Sequence, residues 1–389
     1  MTQAAPDFSS LPAELAKGVT EAWEALARRE EIAERVMANE ACRRTLPTVW
    51  AASPFVARSC AHPGVLDALL DSGDLERAYD EAGWRSRLDA DLEGVTDELG
   101  LMRALRRFRN REMVRIAWRD LVGWADTREV LADLSAMADV CVDGALARLT
   151  DWLAERHGRP RTSDGREQGL VVLGMGKLGG RELNYSSDID LIFAFEEEGE
   201  TDGRKPVSHS QFFIKLGQRL IRVLDQQTAD GFVFRVDMRL RPNGDSGPLA
   251  LNFDAVEAYY ATQGREWERY AMIKARVIAG DFEAGRELQA TLRPFVYRRY
   301  LDYGAVAQLR DMKAMIEREM QRKGMENNIK LGPGGIREVE FIGQAFQLIR
   351  GGRETELQER SLLPVLDMLG KKDYLPAFAV EELEAGYDF

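Results

Sequence analysis

The sequence predicts an α+β protein that is predominantly helical, in which a small mixed β-sheet is flanked by N-terminal and C-terminal helical regions. Residues 12–155 and 281–389 are rich in residues that favour helices. Between them, 170–193 contains two apolar runs around a glycine-rich turn, and 232–241 alternates apolar and charged residues. The expected domains are a helical domain, an α/β core and a second helical region, at 1–165, 166–278 and 279–389.

The strongest helix signal in the N-terminal region lies at about 97–122. Arginine recurs there at every fourth position, so that a basic row winds slowly along the helix. The row consists of Arg103, Arg107, Arg111, Arg115 and Arg119. Such a row indicates either a wall that attracts an anionic substrate or partner, or a helix paired with acidic neighbours, and we favour the second interpretation. Residues 156–168 then predict a linker or turn before the core.

The segment at 170–193 is the first candidate for chemistry. It predicts a buried strand, a glycine-rich turn, a short helical turn and a second strand that starts near Asp188. Because side chains alternate along a strand, Asp188 and Asp190 share one face, with their Cα atoms about 6.6 Å apart. Two carboxylates beside exposed backbone N–H groups suit a hard cation and a phosphate. A solvated strand end, where aspartate is common, is the alternative.

A second strand, predicted at 232–241, favours the catalytic interpretation. Its polar face carries Arg235, Asp237, Arg239 and Arg241. If this strand lies close to the first in one sheet, Asp237 can join Asp188 and Asp190. Three carboxylates can hold two Mg²⁺ ions about 3.5–4 Å apart, and the arginines would neutralise substrate phosphates. An outer face on which Asp237 pairs with arginine is the alternative.

Other predicted elements supply further candidate phosphate ligands. Helices are expected at 208–225 and 254–276, and 327–341 predicts a glycine loop that leads into a helix, whose N-terminus presents free N–H groups to anions. Glu338 and Glu340 instead indicate acids in the first turn of that helix, the structural alternative. The candidate phosphate- or nucleotide-binding residues are Gly176, Lys177, Gly179, Gly180, Ser187, Arg239, Arg241, Lys274, Gly334, Gly335 and Arg337.

Composition narrows the class of protein. A net charge of −12 disfavours non-specific binding to nucleic acid or to an anionic membrane. The sequence has no run of 18 apolar residues, so it predicts no transmembrane helix, and the N-terminus lacks the pattern of a signal peptide. The cysteines (Cys42, Cys60 and Cys141) show no metal-ligand spacing and fit a reducing cytoplasm. With only three histidines in the chain, oxygen ligands are favoured over a histidine-rich zinc site.

Four strings together resemble the glutamine synthetase adenylyltransferase family, a bifunctional regulator of bacterial nitrogen assimilation. They are Gly-Met-Gly-Lys-Leu-Gly-Gly-Arg-Glu-Leu-Asn-Tyr-Ser-Ser-Asp-Ile-Asp-Leu-Ile at 174–192, Arg-Val-Asp-Met-Arg-Leu-Arg-Pro at 235–242, Trp-Glu-Arg-Tyr-Ala-Met-Ile-Lys-Ala-Arg at 267–276 and Gly-Gly-Ile-Arg-Glu-Val-Glu-Phe at 334–341. The family has two related nucleotidyltransferase halves of the DNA polymerase beta-like superfamily. The string Leu-Asn-Tyr-Ser-Ser-Asp-Ile-Asp resembles the N-terminal, adenylyl-removing half.

The resemblance implies phosphorolysis, in which inorganic phosphate attacks the AMP phosphorus on a modified tyrosine of glutamine synthetase and releases ADP. It also implies that Asp188, Asp190 and Asp237 bind Mg²⁺, as two ions, with Mn²⁺ as an alternative. A phenol with a pKa near 10 leaves with little help beyond a metal and cationic side chains. Uridylylated PII signal protein is implied as the stimulating partner.

Two other functions remain open at this point. The chain itself could transfer AMP from ATP to a protein tyrosine, because the metal and phosphate geometry is nearly shared. It could also be a non-catalytic docking module for PII or glutamine synthetase. The family's second catalytic half is not in this sequence, so we expect adenylylation by that half to belong to a longer parent protein.

Overall fold

The computed structural model of the chain describes residues 5–299 and 334–388, and between them only positions 307, 310, 311, 313, 314, 318 and 322. Its residues group into two units. The first unit comprises 1–145, 183–186 and 222–235, and the second comprises 146–182, 187–221 and 236–389. The boundaries of the three expected domains stay a prediction.

The first unit is built from helices, as its composition predicts. They are α1 (Ala13–Ala27), α2 (Glu30–Ala38), α3 (Glu40–Ala52), α4 (Pro54–Ala61), α5 (Leu66–Ser72), α6 (Glu81–Asp91), α7 (Glu98–Leu121) and the first part of α8 (Thr127–His157). Polar side chains accept hydrogen bonds from the first-turn N–H groups of several helices, as Asp97 does for α7. A core that includes Trp23, Trp50 and Trp118 holds the helices together.

The basic row of α7 is largely paired with acids inside this unit. Arg115 is buried and donates to Glu112 at 2.7 Å and to Asp133 at 3.2 Å. Arg111 pairs with Asp91 at 3.0 Å, and Arg119 pairs with Glu129 at 2.6 Å. The interpretation of the row as a helix paired with acidic neighbours is therefore confirmed for these three arginines.

The second unit contains the sheet. Its strands are β1 (Val171–Gly174), β2 (Ile189–Phe195), β3 (Val236–Asp237), β4 (Ala250–Asn252) and β5 (Arg276–Gly280). Helices between and after the strands are α9 (Gly176–Gly179), α10 (His209–Asp225, whose last residues belong to the first unit), α11 (Phe253–Thr262), α12 (Glu266–Met272), α13 (Phe282–Val296), α14 (Ile336–Arg350), α15 (Leu362–Lys371) and α16 (Ala377–Asp388). Short 3₁₀ turns lie at Gly244–Ser246 and Thr355–Gln358.

The sheet is mixed, with the strand order β3-β2-β1-β5. β1 runs antiparallel to both β2 and β5, whereas β3 and β4 pair with β2 in parallel. β3 pairs with the first two residues of β2, and β4 pairs with the last three. Apolar residues of β1, α11, α13 and α14 form a common core, for example Leu173, Tyr260, Leu288 and Leu348. The predicted fold class, a mostly helical chain with a small mixed sheet, is confirmed.

Two local predictions are wrong. The strand expected at 232–241 is reduced to Val236–Asp237, since the N–H groups of Val233 and Phe234 donate instead to the carbonyl of Leu224 near the end of α10. The helix expected at 254–276 is broken at Gly264, where a Cβ would lie 2.6 Å from the Phe295 ring and 2.7 Å from the Tyr260 carbonyl. The glycine permits this close packing, and the chain then forms α12 and β5.

The cysteine side chains lie in the interior of the protein. All three cysteine thiols are buried, and burial raises the pKa of Cys42 to about 12. Among the helices in the described ranges, none has both the length and the apolar character that a membrane crossing requires.

Arg106 is a buried cation whose substitution we expect to destabilise the first unit. Its guanidinium donates to the carbonyls of Met102 and Val223 at 2.9 Å and of Gly231 at 2.8 Å, and also to Gln226. Arg106→Met would leave several buried carbonyls without a donor, each worth about 1–3 kcal/mol. We therefore expect the free energy of unfolding, measured by urea denaturation, to fall by at least about 2 kcal/mol. Arg103→Met, at an exposed position of the same helix, is the matched control and should change it by less than about 0.5 kcal/mol.

Candidate active site

The register of β2 and β3 brings two of the three predicted acids together. Ile189 pairs with Val236 and Asp190 pairs with Asp237. Neighbouring strands lie about 4.8 Å apart, and residues opposite each other in a ladder point to the same face. Asp188 is two residues before Asp190, at an exposed position just ahead of β2. The backbone therefore places three carboxylates at one end of two adjacent strands.

A turn rich in glycine, residues 175–180, lies directly against Asp190, and we call it the glycine turn. The N–H of Met175 donates to the Asp190 carbonyl at 2.9 Å. Gly176 has a φ of +53°, a conformation that favours glycine, and a Cβ added there would lie 3.3 Å from Asp190 Oδ2. The carboxylate of Asp190 therefore rests over the first residue of α9.

The side chain of Asp237 is engaged by Arg239 in this structure. The backbone N–H of Arg239 donates to Asp237 Oδ1 at 2.8 Å, and its Nε donates to Oδ2 at 2.8 Å. These hydrogen bonds hold the pKa of the Asp237 carboxyl below its ordinary value. Asp237 is therefore charged at neutral pH, as a metal ligand needs to be.

The three acids Asp188, Asp190 and Asp237 offer the oxygen atoms that a hard cation prefers, and the backbone places them at one end of β2 and β3. Carboxylate oxygens are the ligands that Mg²⁺ takes in proteins. Within 5–299 and 334–388, however, no group of three or more acidic, histidine or cysteine side chains is arranged to hold a metal ion. A cation bound at Asp237 would compete with the Arg239 guanidinium for the same carboxylate oxygens.

The remaining glycines of the turn serve close packing. A Cβ on Gly179 would lie 1.8 Å from the Lys274 carbonyl, and one on Gly180 would lie 2.9 Å from Glu182 Oε2. Larger residues at either position would push the turn away from its neighbours. Ser187 is half-buried and directly precedes Asp188.

The predicted arginines and the second glycine loop occupy different environments. Arg239 has 75% of its side chain exposed, whereas Arg241 is 12% exposed and donates to the Met238 carbonyl at 2.7 Å. Gly334 and Gly335 precede α14, and Glu338 accepts the Gly334 N–H at 2.7 Å, which confirms Glu338 as an acid of the helix start. Arg337 is exposed in the same turn. Residues 327–333 of this loop lie outside the described residues.

Lys177 and Lys274 belong to a set of alternating charges that are buried or half-buried, which we call the ion-pair chain. Glu340 contacts Lys177 at 3.5 Å and Lys274 at 2.8 Å, and Lys274 contacts Glu182 at 2.6 Å. The exposed fractions of the four side chains are 13% for Lys177, 14% for Glu340, 4% for Lys274 and 5% for Glu182. Sequence reasoning missed Glu182 and took Glu340 for a first-turn acid, although both lie in strings that already stood out.

Within the ion-pair chain, opposite charges shift the pKa values of their neighbours. Burial by itself would raise the pKa of Glu340, but the ammonium groups of Lys274 and Lys177 outweigh it and lower that pKa. Burial would likewise lower the pKa of Lys274, yet Glu340 and Glu182 raise it. In Lys177 burial prevails, and its pKa is lowered. Both lysines are thus directed at carboxylates rather than at an open phosphate site.

Comparison with known proteins adds an independent line of evidence. Residues 43–291 match the family described as glutamate-ammonia ligase adenylyltransferase, and 310–389 match the family described as GlnD PII-uridylyltransferase. Similar proteins named bifunctional glutamine synthetase adenylyltransferase/adenylyl-removing enzyme come from Thioalkalivibrio sulfidiphilus and Nitrosococcus oceani. The first is 58% identical over 345 residues, 88% of this chain and 36% of that protein. The second is 59% identical over 349 residues, 89% of this chain and 36% of that protein.

A third protein of the same name, from Pseudomonas aeruginosa, is 56% identical over 344 residues, 88% of this chain and 35% of that protein. The chain thus spans little more than a third of the length of these curated relatives.

Proposed function

The chain belongs to the glutamate-ammonia ligase adenylyltransferase family, and from that premise we propose that it removes AMP from adenylylated glutamine synthetase by phosphorolysis. The observation that carries the proposal is the β2–β3 register, which sets Asp190 beside Asp237 with Asp188 two residues away. The glycine turn supports it, because its first glycine lets the backbone approach the Asp190 carboxylate closely. The string at 183–190 favours the adenylyl-removing half over the opposite reaction.

Asp188, Asp190 and Asp237 would hold Mg²⁺, as two ions, with Mn²⁺ as an alternative. A bound divalent cation at this place would supply charge stabilisation for the oxygens around phosphorus. Arg239 would then be released from Asp237 and could turn toward substrate phosphate. Arg241 lies close by but is directed at backbone carbonyls, so Arg239 is the stronger candidate for contact with phosphate.

The proposed reaction balances without a protein acid or base. An oxygen of inorganic phosphate forms a bond to the AMP phosphorus, while the bond from that phosphorus to the tyrosine oxygen breaks. The hydrogen phosphate gives up its proton and the departing phenolate takes one up, so that ADP and the free tyrosine are the products. The leaving phenol has a pKa near 10, so a divalent cation and cationic side chains would be enough to ease its departure, and the step requires no histidine.

The partners follow from the family and from the second match. Adenylylated glutamine synthetase, inorganic phosphate and ADP would be the substrates and product. The match of 310–389 to a PII-uridylyltransferase family supports a link to PII signal protein, which we propose to act in its uridylylated form. We place the reaction in the cytoplasm, and we expect neither nucleic acid nor membrane as a partner.

Incubation of the chain with adenylylated glutamine synthetase, Mg²⁺ and phosphate tests the proposal. ADP release that depends on phosphate is the expected result. In a second assay, unmodified synthetase is incubated with the chain and labelled ATP. Label on tyrosine in this assay, together with no ADP release in the first, would favour AMP transfer instead. Binding of either protein without turnover in both assays would favour the docking module.

Arg239→Ala should separate metal binding from phosphate binding. Loss of the guanidinium removes a competitor for Asp237, so we expect the affinity for Mn²⁺ to rise about two- to fivefold, the range that an exposed ion pair contributes. The KM for phosphate should rise in the same variant. Arg222→Ala, an exposed arginine of α10, is the control, and equal Mn²⁺ affinities in Arg239→Ala and wild type would contradict the assigned competition.

A further inference from the structure

The ion-pair chain ends at the glycine turn, next to the proposed catalytic acids. Lys177 follows Gly176, the residue on which the Asp190 carboxylate rests. The ammonium of Lys177 is held by Glu340 of α14 at 3.5 Å and by the Tyr387 hydroxyl of α16 at 3.4 Å. It also lies 5.0 Å from the centre of the Tyr387 ring, a cation–π distance. Two helices from the C-terminal part of the chain thus meet one side chain of the turn.

The other end of the turn is held by strand β5. Arg276 donates to the carbonyls of Leu178 at 2.8 Å and Gly179 at 3.1 Å. Gly179 also packs against the Lys274 carbonyl, where a Cβ could not fit. These contacts anchor Leu178 and Gly179, whereas the contacts of Lys177 act at the start of the turn, next to Gly176 and the Asp190 carboxylate.

The rest of the ion-pair chain fixes Glu340 itself. Glu340 is shared with Lys274, which is bound by Glu182. Glu182 also accepts the Leu362 N–H at 2.5 Å and the Ser361 hydroxyl at 3.2 Å, at the start of α15. Apolar residues of similar volume often replace a buried ion pair without loss of stability, so stability alone is a weak explanation for the buried pair of Lys274 and Glu182 and its half-buried partners.

We propose that Glu340 is a positioning residue for the reaction: by holding Lys177, it sets the glycine turn against Asp190 and so orients that carboxylate. The inference rests on the proposed function for its activity readout. Groups that contact a metal ligand directly typically change metal affinity or activity by 10- to 100-fold when they are removed, and Glu340 and Lys177 act through Gly176, so the lower end of that range is expected. A misplacement of about 1 Å at the reacting atoms is enough for such a loss.

Glu340→Gln and Lys177→Met test the proposal in the full chain, with kcat, KM, Mn²⁺ affinity and the unfolding midpoint as readouts. We expect kcat for ADP release to fall about tenfold, and Mn²⁺ binding, followed by electron paramagnetic resonance, to weaken by about tenfold. The KM for adenylylated synthetase should stay within about threefold, because neither residue would touch that substrate. Lys177→Arg keeps the charge and should recover most of the loss.

Val339→Ala is the matched control, because Val339 is a buried neighbour of Glu340 on the same helix. It should lower the unfolding midpoint and leave kcat within about threefold at a temperature where the protein is folded. An equal fall of kcat in this control, or unchanged kcat in both Glu340→Gln and Lys177→Met, would overturn the inference. Tyr387→Phe offers a milder variant that should fold, with an expected fall of two- to fivefold.

Failure of the proposed function has a different signature. Wild-type chain that releases no ADP would refute phosphorolysis while leaving the orientation of Asp190 open to measurement. In that case weaker Mn²⁺ binding in Glu340→Gln and Lys177→Met would support the inference, and wild-type Mn²⁺ affinity in both would overturn it.

Discussion

Asp190→Asn should reduce phosphate-dependent ADP release from adenylylated glutamine synthetase by about 10³-fold or more while the fold is retained. Asp190 pairs in register with Asp237, and its carboxylate rests over the glycine turn, so it is the central member of the proposed metal site. Neutralising it removes a ligand charge from a site whose cation is worth several kcal/mol of transition-state stabilisation, and each 1.36 kcal/mol corresponds to a factor of ten in rate. The amide keeps the shape of the side chain.

The measurement is the rate of ADP formation at saturating phosphate, with circular dichroism to verify the helical content. Asp188→Asn should give a comparable loss, because Asp188 lies on the same strand end. Glu257→Gln, an exposed acid of α11, serves as the control and should keep wild-type activity. Wild-type rates in both aspartate variants would exclude these residues from the chemistry.

Lys274→Met should destabilise the chain by about 3–5 kcal/mol at neutral pH, the range found when one partner of a buried ion pair is removed. The ammonium of Lys274 is bound by Glu182 and Glu340 inside the second unit, and both acids would lose a buried counter-charge. Urea denaturation followed by tryptophan fluorescence gives the free energy of unfolding. Lys371→Met, which removes an exposed pair with Asp367, should change it by less than about 0.5 kcal/mol.

The difference in the free energy of unfolding between wild type and Lys274→Met should depend on pH, and its sign follows from the pKa of Glu340. In the wild type the pKa of Glu340 is lowered, so its stabilising contribution is present above the ordinary carboxyl pKa of about 4.3 and is lost as the pH falls through the lower folded value. In the variant the carboxylate lacks Lys274, and protonation relieves its buried charge. The destabilisation should therefore shrink between pH 7 and about pH 4. A difference that grows toward acid would contradict the assigned ion pairs.

The pKa of Lys274 gives the opposite sign at alkaline pH. It is raised in the folded chain, so its contribution is complete below the ordinary lysine value of about 10.4 and is lost as the pH rises through the higher folded value. The contributions of Glu340 and Lys274 to the stability of the second unit are therefore expected to stay constant across the neutral range.

Patterns that repeat over many residues were predictable from the sequence. The four-residue recurrence of apolar and basic side chains predicted α7, and the apolar stripe at 208–225 predicted α10. The apolar runs around the glycine turn predicted β1 and β2, which pair as neighbours. Alternation along two strands, together with the glycine-rich turn, made Asp188, Asp190 and Asp237 candidates, because the side-chain period of a strand is a local property.

Patterns that depend on a neighbour were not predictable in the same way. The alternation at 232–241 predicts a long strand. In the structure, β4 pairs with the last three residues of β2, and β3 pairs with only the first two residues of β2. The helix expected at 254–276 fails at Gly264, which packs against Phe295 of α13, a helix later in the chain. Both errors arise because hydrogen-bond partners and close contacts come from distant parts of the chain.

The sequence by itself determined the fold class, the principal helices, the acidic residues of the candidate site and the family. Tertiary structure alone decided that Asp190 lies beside Asp237, and that Lys177 and Lys274 face Glu340. The physical reason is that propensity and periodicity are encoded within a few residues, whereas strand register and the pairing of buried charges are settled by which segments the fold brings into contact.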